Sequence, residues 1–220
     1  NMPSGPWNDP TAPALSANDK KHLVEMWGVP TRESWLAAID RLVTVRRRRD
    51  VWVTCLSLRA ELAQRLGRVP KAKEWIAAIV EAGGDKRDAR GFVTAIESVE
   101  AQVRKLVGKD IVTPDLYVRT LDGYALGQAV GLTTWGVALG HADVPEARAI
   151  IRRINEEGRP AFSSWADFGL SYIVGRVMHW SDGSIGEKTF DKYGDGWSEF
   201  KAAATAKRNG PWASLPWRIG

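Results

Sequence analysis

Cysteine and histidine are scarce in this 220-residue sequence, which contains one cysteine, Cys55, and three histidines at positions 22, 141 and 179. A single cysteine excludes an internal disulfide and any zinc cluster built from several thiolates. The histidines are too widely spaced to form a local pair of metal ligands. We therefore predict no metal site, and the lone thiol is typical of a protein from a reducing compartment.

Long apolar runs and familiar catalytic motifs are also missing. No stretch of about eighteen consecutive apolar residues is present, and the first residues lack the basic and apolar segments of a signal peptide. The sequence contains no glycine-rich phosphate loop, no His-Glu-x-x-His zinc motif, no EF-hand and no Gly-x-Ser-x-Gly nucleophile turn. We expect a cytoplasmic protein with no membrane contact, no cofactor and no assignable catalytic residue.

The excess of positive charge is small, because 31 Lys and Arg residues are interspersed with 26 Asp and Glu residues, giving a formal net charge of +5. Nucleic-acid binders usually concentrate such charge on one face or in one run. The run Arg46–Arg49 allows two interpretations: the solvated start of a helix, tempered by Asp50, or a contact with phosphate or an acidic partner.

Tryptophan, by contrast, is unusually frequent. The chain has eleven, at positions 7, 27, 35, 52, 75, 135, 165, 180, 197, 212 and 217. Such dispersed tryptophans are typical of apolar anchors at helix contacts rather than of a ligand cage. The apolar fraction of 44% suffices for a core, and no stretch shows the sustained alternation of a strand. We therefore predict an all-α fold, a compact multi-helix bundle.

A repeat covers much of the first half of the chain. Val29-Pro30 followed by Trp35-Leu-Ala-Ala-Ile39 recurs at an offset of 40 positions as Val69-Pro70 followed by Trp75-Ile-Ala-Ala-Ile79. This self-similarity predicts two helical hairpins, over residues 28–67 and 68–107. No third copy follows, which favours a duplicated hairpin over a solenoid. The basic run of the first copy is diluted in the second by Asp88.

The repeat sets the predicted domain organisation. We predict a flexible proline-rich tail over residues 1–14, the duplicated region over 15–108, and a C-terminal helical region over 109–220 that forms one compact domain with it. The closing residues 209–220 contain two tryptophans beside prolines. They predict a strap that lies over the bundle.

Two of the helices predicted in the C-terminal region carry most of the candidate binding residues. Thr113-Pro114 marks the start of one, which continues through residue 131 and is so rich in glycine and alanine that another element must approach it closely. Arg119 and Asp122 are three residues apart and are predicted to pair across one turn. The second helix starts after Ser163 or Ser164, whose hydroxyl can cap it.

An arginine lies inside the aromatic stripe of this second helix. Trp165, Tyr172, Arg176 and Trp180 fall on or beside one face at helical spacing. In one interpretation Arg176 stacks on the rings and binds an external carboxylate or phosphate. In the other its stem packs on the rings while the guanidinium bonds to carbonyls at the end of the helix.

Several of these residues together resemble the DUF1266 family of bacterial proteins of uncharacterised function. The similarity rests on Leu23…Trp27-Gly28-Val29, Trp135-Gly136…Gly140, Ser163-Ser164-Trp165-Ala166-Asp167-Phe168…Gly175-Arg176…Trp180 and Pro211-Trp212…Leu215-Pro216-Trp217. In that family an Asp and an Arg commonly occupy a single helical turn a little before the Trp-Gly pair, where this chain carries Ala125 and Gln128. The resemblance implies no activity.

The sequence is compatible with three functions. The favoured one is a non-catalytic helical module that binds an unknown protein partner. The second is an enzyme or small-molecule binder with a polar pocket near Asp122, His141, Tyr172 and Arg176. The third is a binder of nucleic acid or an acidic protein through Arg46–Arg49. The candidate binding residues are Arg119, Asp122, Trp135, His141, Trp165, Tyr172, Arg176 and Trp180.

Overall fold

The computed structural model describes residues 15–186, 188–206 and 210–217. Within these ranges the chain forms ten α-helices and no β-strand, which confirms the predicted all-α fold. The helices are α1 (Ala17–Trp27), α2 (Arg32–Thr44), α3 (Asp50–Leu66), α4 (Ala72–Glu81), α5 (Lys86–Val107), α6 (Asp122–Leu139), α7 (Val144–Gly158), α8 (Trp165–Trp180), α9 (Thr189–Tyr193) and α10 (Trp197–Ala204). The predicted tail, residues 1–14, lies outside the described residues.

The contacts divide the chain into two compact units. Unit 1 comprises Asn1–Arg47 and Ala125–Pro160, and unit 2 comprises Arg48–Tyr124 and Ala161–Gly220. The predicted division after residue 108 stays a prediction. In the part of the chain that the structure describes, no helix is both long enough and apolar enough to cross a membrane.

Side-chain caps fix where several helices begin. Ser16 and Thr31 each form a reciprocal capping box with the residue three positions later, and Asp85 and Asp143 accept backbone N–H groups at the starts of α5 and α7. The hydroxyl of Ser164 accepts the N–H of Asp167, as predicted for α8. These caps satisfy donors that the first turn of a helix leaves without a partner, so local sequence alone sets these boundaries.

The matched tryptophans of the repeat are both fully buried. The Trp35 indole donates to the carbonyl of Leu132 in unit 1 (2.8 Å), and the Trp75 indole donates to that of Cys55 in unit 2 (2.7 Å). The helices α2 to α5 follow the order that the repeat predicts, but the two indoles bond to different parts of the chain. A structural duplication therefore stays a prediction.

Unit 1 is built from α1, α2, α7 and most of α6. Trp35 packs so closely on α6 that a Cβ added to Gly136 would lie 2.4 Å from its ring. His141, after α6, contacts the Val29 carbonyl through Nε2 (3.1 Å). Arg32 of α2 forms a two-bond ion pair with Glu146 of α7. Gly136 lies beyond residue 131, where the predicted glycine-rich helix ended, and the close approach predicted for that helix is confirmed at Gly123, where an added Cβ would lie 2.7 Å from the Tyr172 nitrogen.

Unit 2 has a core of aliphatic side chains from α5 and α8. The fully buried residues include Val93, Ile96, Val99 and Val103 of α5 and Leu170, Ile173, Val174 and Val177 of α8. One charged pair lies inside this core, since Arg59 of α3 and Glu100 of α5 are only 2% and 4% exposed. Two hydrogen bonds of 2.6 and 2.9 Å join them.

The prediction of a helix that starts after Thr113 is wrong for residues 114–121, because α6 begins at Asp122. Two backbone groups of the preceding loop bond to side chains of α5. Glu100 accepts the N–H of Val118 (2.7 Å), and Arg104 donates to the carbonyl of Leu116 (2.9 Å). A helix through these residues would need the same backbone groups for its own bonds.

The pairing predicted between Arg119 and Asp122 is also wrong. Arg119 bonds to Asp167 at the start of α8, and Asp122 bonds to Arg48. Both carboxylates are nearly inaccessible to water, so each needs a cation or another donor close by. The loop conformation of residues 113–121 separates Arg119 from the first turn of α6, which removes the helical spacing on which the prediction depended.

The described part of the closing segment contacts the start of α8. The rings of Trp212 and Trp165 stack at 5.2 Å, and the ring of Trp217 lies edge-on to Trp165 at 4.7 Å. The Trp217 indole donates to the carbonyl of Phe162 (3.0 Å). Residues 209 and 218–220 lie outside the described part, and the strap as a whole stays a prediction.

We expect Arg59→Met to lower the free energy of unfolding by about 3–5 kcal/mol, because it leaves the buried Glu100 carboxylate without its cation. The double variant Arg59→Met, Glu100→Gln keeps an acceptor for the Val118 N–H and carries no buried charge, so we expect it to recover at least about half of that loss. Urea denaturation measures both. Arg68→Met breaks an exposed pair with Glu74 and should cost less than about 1 kcal/mol.

Two glycines of α6 provide a matched pair of substitutions. Gly136→Ala places a methyl group against the buried Trp35 ring, and we expect a loss of about 1–3 kcal/mol in unfolding free energy. Gly131→Ala meets nothing within 4 Å and should stabilise the protein by about 0.4–1 kcal/mol. Equal effects of the two variants in thermal and urea unfolding would contradict the close contact at Gly136.

Candidate functional site

The structure does not bring the predicted binding residues of unit 2 together at one place. Tyr172, Arg176 and Trp180 share a face of α8, as predicted. Trp165, on the first turn of the same helix, contacts the closing segment instead. The remaining two, Arg119 and Asp122, form the separate ion pairs described above. In unit 1, Trp135 packs on Trp27 with 6.2 Å between the rings, and His141 lies against Trp35.

Arg176 is bound to a carboxylate of its own chain. Its Nη2 lies 2.9 Å from Asp195 Oδ1, in the loop between α9 and α10, and its Nε is buried with no hydrogen-bond partner among the described residues. This pairing differs from both predicted interpretations, because the acceptor is neither an external anion nor a helix carbonyl. Arg176 thereby attaches the α9–α10 loop to α8.

Tyr172 and two carboxylates surround this arginine. Burial raises the pKa of the Tyr172 hydroxyl, while the charge of Arg176 and its hydrogen bond to that hydroxyl partly oppose the rise. The charges of Asp195 and Glu199 raise the Tyr172 pKa further. One cation therefore faces two carboxylates, and this balance disfavours a second, external anion at Arg176.

Trp180 is the most exposed member of the stripe, with 53% of the residue accessible. Its indole nevertheless donates to the hydroxyl of Tyr124 (2.7 Å), and its ring stacks on Tyr193 at 6.5 Å. Tyr124 in turn packs edge-on against Tyr172. The aromatic side chains on this face of α8 therefore pack against neighbouring rings of the same chain.

The Arg119–Asp167 pair holds the beginning of α8 in place. Asp167 is 2% exposed and accepts bonds from the backbone N–H and the hydroxyl of Ser163 as well as from Arg119. A buried carboxylate with three donors is a structural anchor rather than a group available to a ligand. The pair connects the loop before α6 to α8.

The first two arginines of the basic run bond within unit 1. Both have left-handed backbone conformations, with φ of 56° at Arg46 and 49° at Arg47. Arg46 Nε donates to the carbonyl of Val43 at the end of α2 (2.8 Å), and Arg47 Nε donates to Gln128 Oε1 of α6 (2.6 Å). The left-handed turn ends α2 and keeps Arg47 from continuing it.

The other two arginines bond within unit 2. Arg48 holds Asp122 with two bonds, Nε at 3.0 Å and Nη2 at 2.6 Å, and this carboxylate raises the pKa of the Arg48 guanidinium. Arg49 pairs with Asp182 and lies 4.3 Å above the Trp52 ring. All four arginines of the run therefore have bonding partners in their own chain, unlike a row of solvated charges.

Sequence reasoning missed a groove between α1 and α2 in unit 1, which we call the α1–α2 groove. It has a volume of about 310 Å³ and is lined by Met26, Trp27, Ala38, Arg41, Leu42, Val45 and Arg47. Four of these residues, at positions 38, 41, 42 and 45, lie on one face of α2 at helical spacing. That spacing, beside Met26-Trp27 at the end of α1, is the sequence signal that could have indicated it.

The α1–α2 groove combines exposed apolar side chains with unpaired polar groups. Met26 is 55% exposed and Val45 is 57% exposed. Trp27 Nε1 is buried and has no hydrogen-bond partner among the described residues. In the same part of the chain, no hydrogen bond or ion pair involves the guanidinium of the exposed Arg41. The exposed Met26 and Val45 can pack on an apolar side chain of another molecule, and the exposed Arg41 can donate to an oxygen beside it.

Metal and thiol chemistry find no support in the described ranges. Within residues 15–186, 188–206 and 210–217, no group of three or more His, Cys, Asp or Glu side chains could hold a metal ion. Burial raises the pKa of the Cys55 thiol, which disfavours the reactive thiolate. Cys55 instead belongs to the apolar core of unit 2.

We expect Arg176→Ala to cost about 1–2 kcal/mol of unfolding free energy, because the half-buried arginine loses its stem, its hydrogen bond to the Tyr172 hydroxyl and its bond to Asp195. Asp195→Asn should cost less than about 0.5 kcal/mol, since Asp195 is largely exposed and the amide keeps an acceptor. Urea denaturation compares the two. Equal losses would show that the charge pair, rather than packing, is the stabilising element.

Comparison with known proteins identifies the family. No curated protein and no solved structure shows a match to the chain. A family model described as "Protein of unknown function (DUF1266)" matches residues 22–217, which is most of the sequence and includes every stretch on which the resemblance rested. The chain therefore belongs to the DUF1266 family.

Proposed function

We propose that this chain is a non-catalytic helical interaction module that binds a partner protein through the α1–α2 groove. The observation that carries the proposal is the exposure of Met26 and Val45 in a concavity lined by five apolar residues and two arginines. Exposed apolar side chains that line a concavity are typical of protein contacts. The lone buried cysteine supports a cytoplasmic location for this activity.

The size of the α1–α2 groove fits one anchor of a larger contact. Burying a side chain of the size of Met or Val contributes about 1.5–3 kcal/mol, whereas a micromolar complex requires about 8 kcal/mol. The groove therefore supplies a central contact of the kind that dominates interface energetics, and surrounding residues must contribute the rest. An extended or helical segment of a partner can present such an anchor.

The two other functions have less support. An enzyme or small-molecule pocket near Tyr172 and Arg176 is disfavoured because Arg176 is paired with Asp195 and the neighbouring rings pack on one another. A nucleic-acid contact through Arg46–Arg49 is disfavoured because bonds within the chain hold each guanidinium. Phosphate binding there would have to compete with those bonds.

The test compares two doubly substituted chains as baits in a lysate of the source organism. Met26→Gln, Val45→Asn removes the apolar anchors of the α1–α2 groove. Val51→Asn, Val80→Gln makes the same kind of change at exposed apolar residues of unit 2. We expect the groove variant to recover at least about tenfold less of one or more proteins that the wild type and the control variant retain.

Two controls make this result specific. Circular dichroism and thermal unfolding must show that both variants keep the wild-type fold, as expected for exposed positions. Arg176→Ala serves as a third bait and should retain the partner. Equal recovery by all baits would contradict docking at the groove, and loss with Arg176→Ala alone would move the site to α8.

A further inference from the structure

We infer that the segment bound in the α1–α2 groove is acidic: it places an apolar side chain against Met26 and Val45 and a carboxylate near Arg41. This inference rests on the proposed function and names the chemistry of its partner. It rests on three observations: the positive lining with its exposed Arg41, the position of Arg47 at the edge of the groove, and the buried Trp27 indole N–H, which has no acceptor among the described residues.

The described lining contains two arginines, Arg41 and Arg47, and no carboxylate. Arg41 is exposed and forms no ion pair or hydrogen bond with the described residues. It therefore differs from the four arginines of the basic run, whose guanidinium groups bond to acceptors of the same chain. A solvated guanidinium beside an apolar concavity is a ready partner for a carboxylate.

The left-handed turn at Arg46 and Arg47 is the second observation. Neither residue is a glycine, and such residues rarely adopt positive φ because Cβ meets the backbone. The turn carries Arg47 to the α1–α2 groove, where its guanidinium lies 5.8 Å above the Trp27 ring and bonds to Gln128. The chain thus holds a second cation at the edge of the same apolar surface.

The third observation is the indole of Trp27. Its ring lines the α1–α2 groove, and its buried Nε1 has no acceptor among the described residues. A buried donor without an acceptor is costly, and a tryptophan indole can only donate. Because Nε1 is closed to solvent, an oxygen of a bound segment can accept from it only when the Trp27 ring moves on binding, and the indole signal reports such a movement.

A second copy of this chain is a poorer occupant. Each copy has a formal net charge of +5, so two copies repel each other. Nucleic acid is also a poorer fit, because the lining between the two arginines is apolar and offers no row of free cations. An acidic segment with an apolar anchor matches both the shape and the charge of the surface.

The test uses three helix-forming peptides that share one leucine stripe and differ only in their flanking residues, which are glutamate, glutamine or lysine. Each is titrated into the isotope-labelled full chain while the amide of Val45 and the indole of Trp27 are followed by NMR. We expect the glutamate peptide to bind about fivefold more tightly than the glutamine peptide, and the lysine peptide to bind most weakly. The advantage of the glutamate peptide should shrink as salt is raised.

Arg41→Glu and Arg65→Glu form the matched pair of variants. Both arginines are exposed, lie in the last turn of a helix and change the net charge equally, but Arg65 lies on α3 of unit 2. Arg41→Glu should weaken the binding of the glutamate peptide about fivefold and strengthen the binding of the lysine peptide. Arg65→Glu should change neither affinity by more than about twofold.

The possible outcomes separate this inference from the proposed function. Equal binding of the glutamate and glutamine peptides at the groove would overturn the acidic partner and leave the docking function intact. No perturbation of Val45 or Trp27 by any peptide would count against both. Perturbation of the same signals by raising the concentration of the chain alone would identify a second copy as the occupant and overturn the inference.

Discussion

The buried ion pair of Arg59 and Glu100 is the constraint on which unit 2 depends. Desolvating both charges is costly, and contacts beyond the two mutual hydrogen bonds offset part of that cost, while Arg59 Nε has no hydrogen-bond partner among the described residues. The guanidinium lies 4.4 Å from the Trp75 ring and 5.1 Å from the Tyr117 ring. Glu100 also accepts the N–H of Val118. One carboxylate thus joins α3, α5 and the loop before α6, and the loop cannot become helical without breaking that bond.

The position of α6 follows from that loop. The loop bonds to α5 through its backbone at Leu116 and Val118, and the helix begins after it at Asp122. Gly123 then meets the backbone of α8 so closely that a Cβ would lie 2.7 Å from the Tyr172 nitrogen. Gly123 N–H also donates to the Ser171 hydroxyl (3.0 Å). The close contact with α8, rather than a special backbone conformation, requires a glycine here, which explains why the helix accepts the propensity cost.

Local and distant interactions mark the limit of what the sequence predicts. The cap at Ser164 and the all-α fold depend on nearest neighbours or on periodicity, and the sequence predicts both. The prediction of where α6 begins is wrong because Glu100, which takes the Val118 N–H that a longer helix would need, lies 18 residues away in the sequence and has no local signature. The partner of Arg176 was not predicted for the same reason, since Asp195 lies on a loop beyond the next helix. Long-range ion pairs override local propensity at these places.

The same reasoning explains why the α1–α2 groove was missed. Ala38, Leu42 and Val45 form an apolar row along α2, and a row at helical spacing predicts burial. Ala38 and Leu42 are indeed buried, but Val45 is 57% exposed because the left-handed turn that follows ends the helix there. Pattern alone cannot distinguish the exposed end of such a row, here the surface that we propose as a docking site, from a row that is buried along its whole length. Accessibility and pairing, read from the structure, make that distinction.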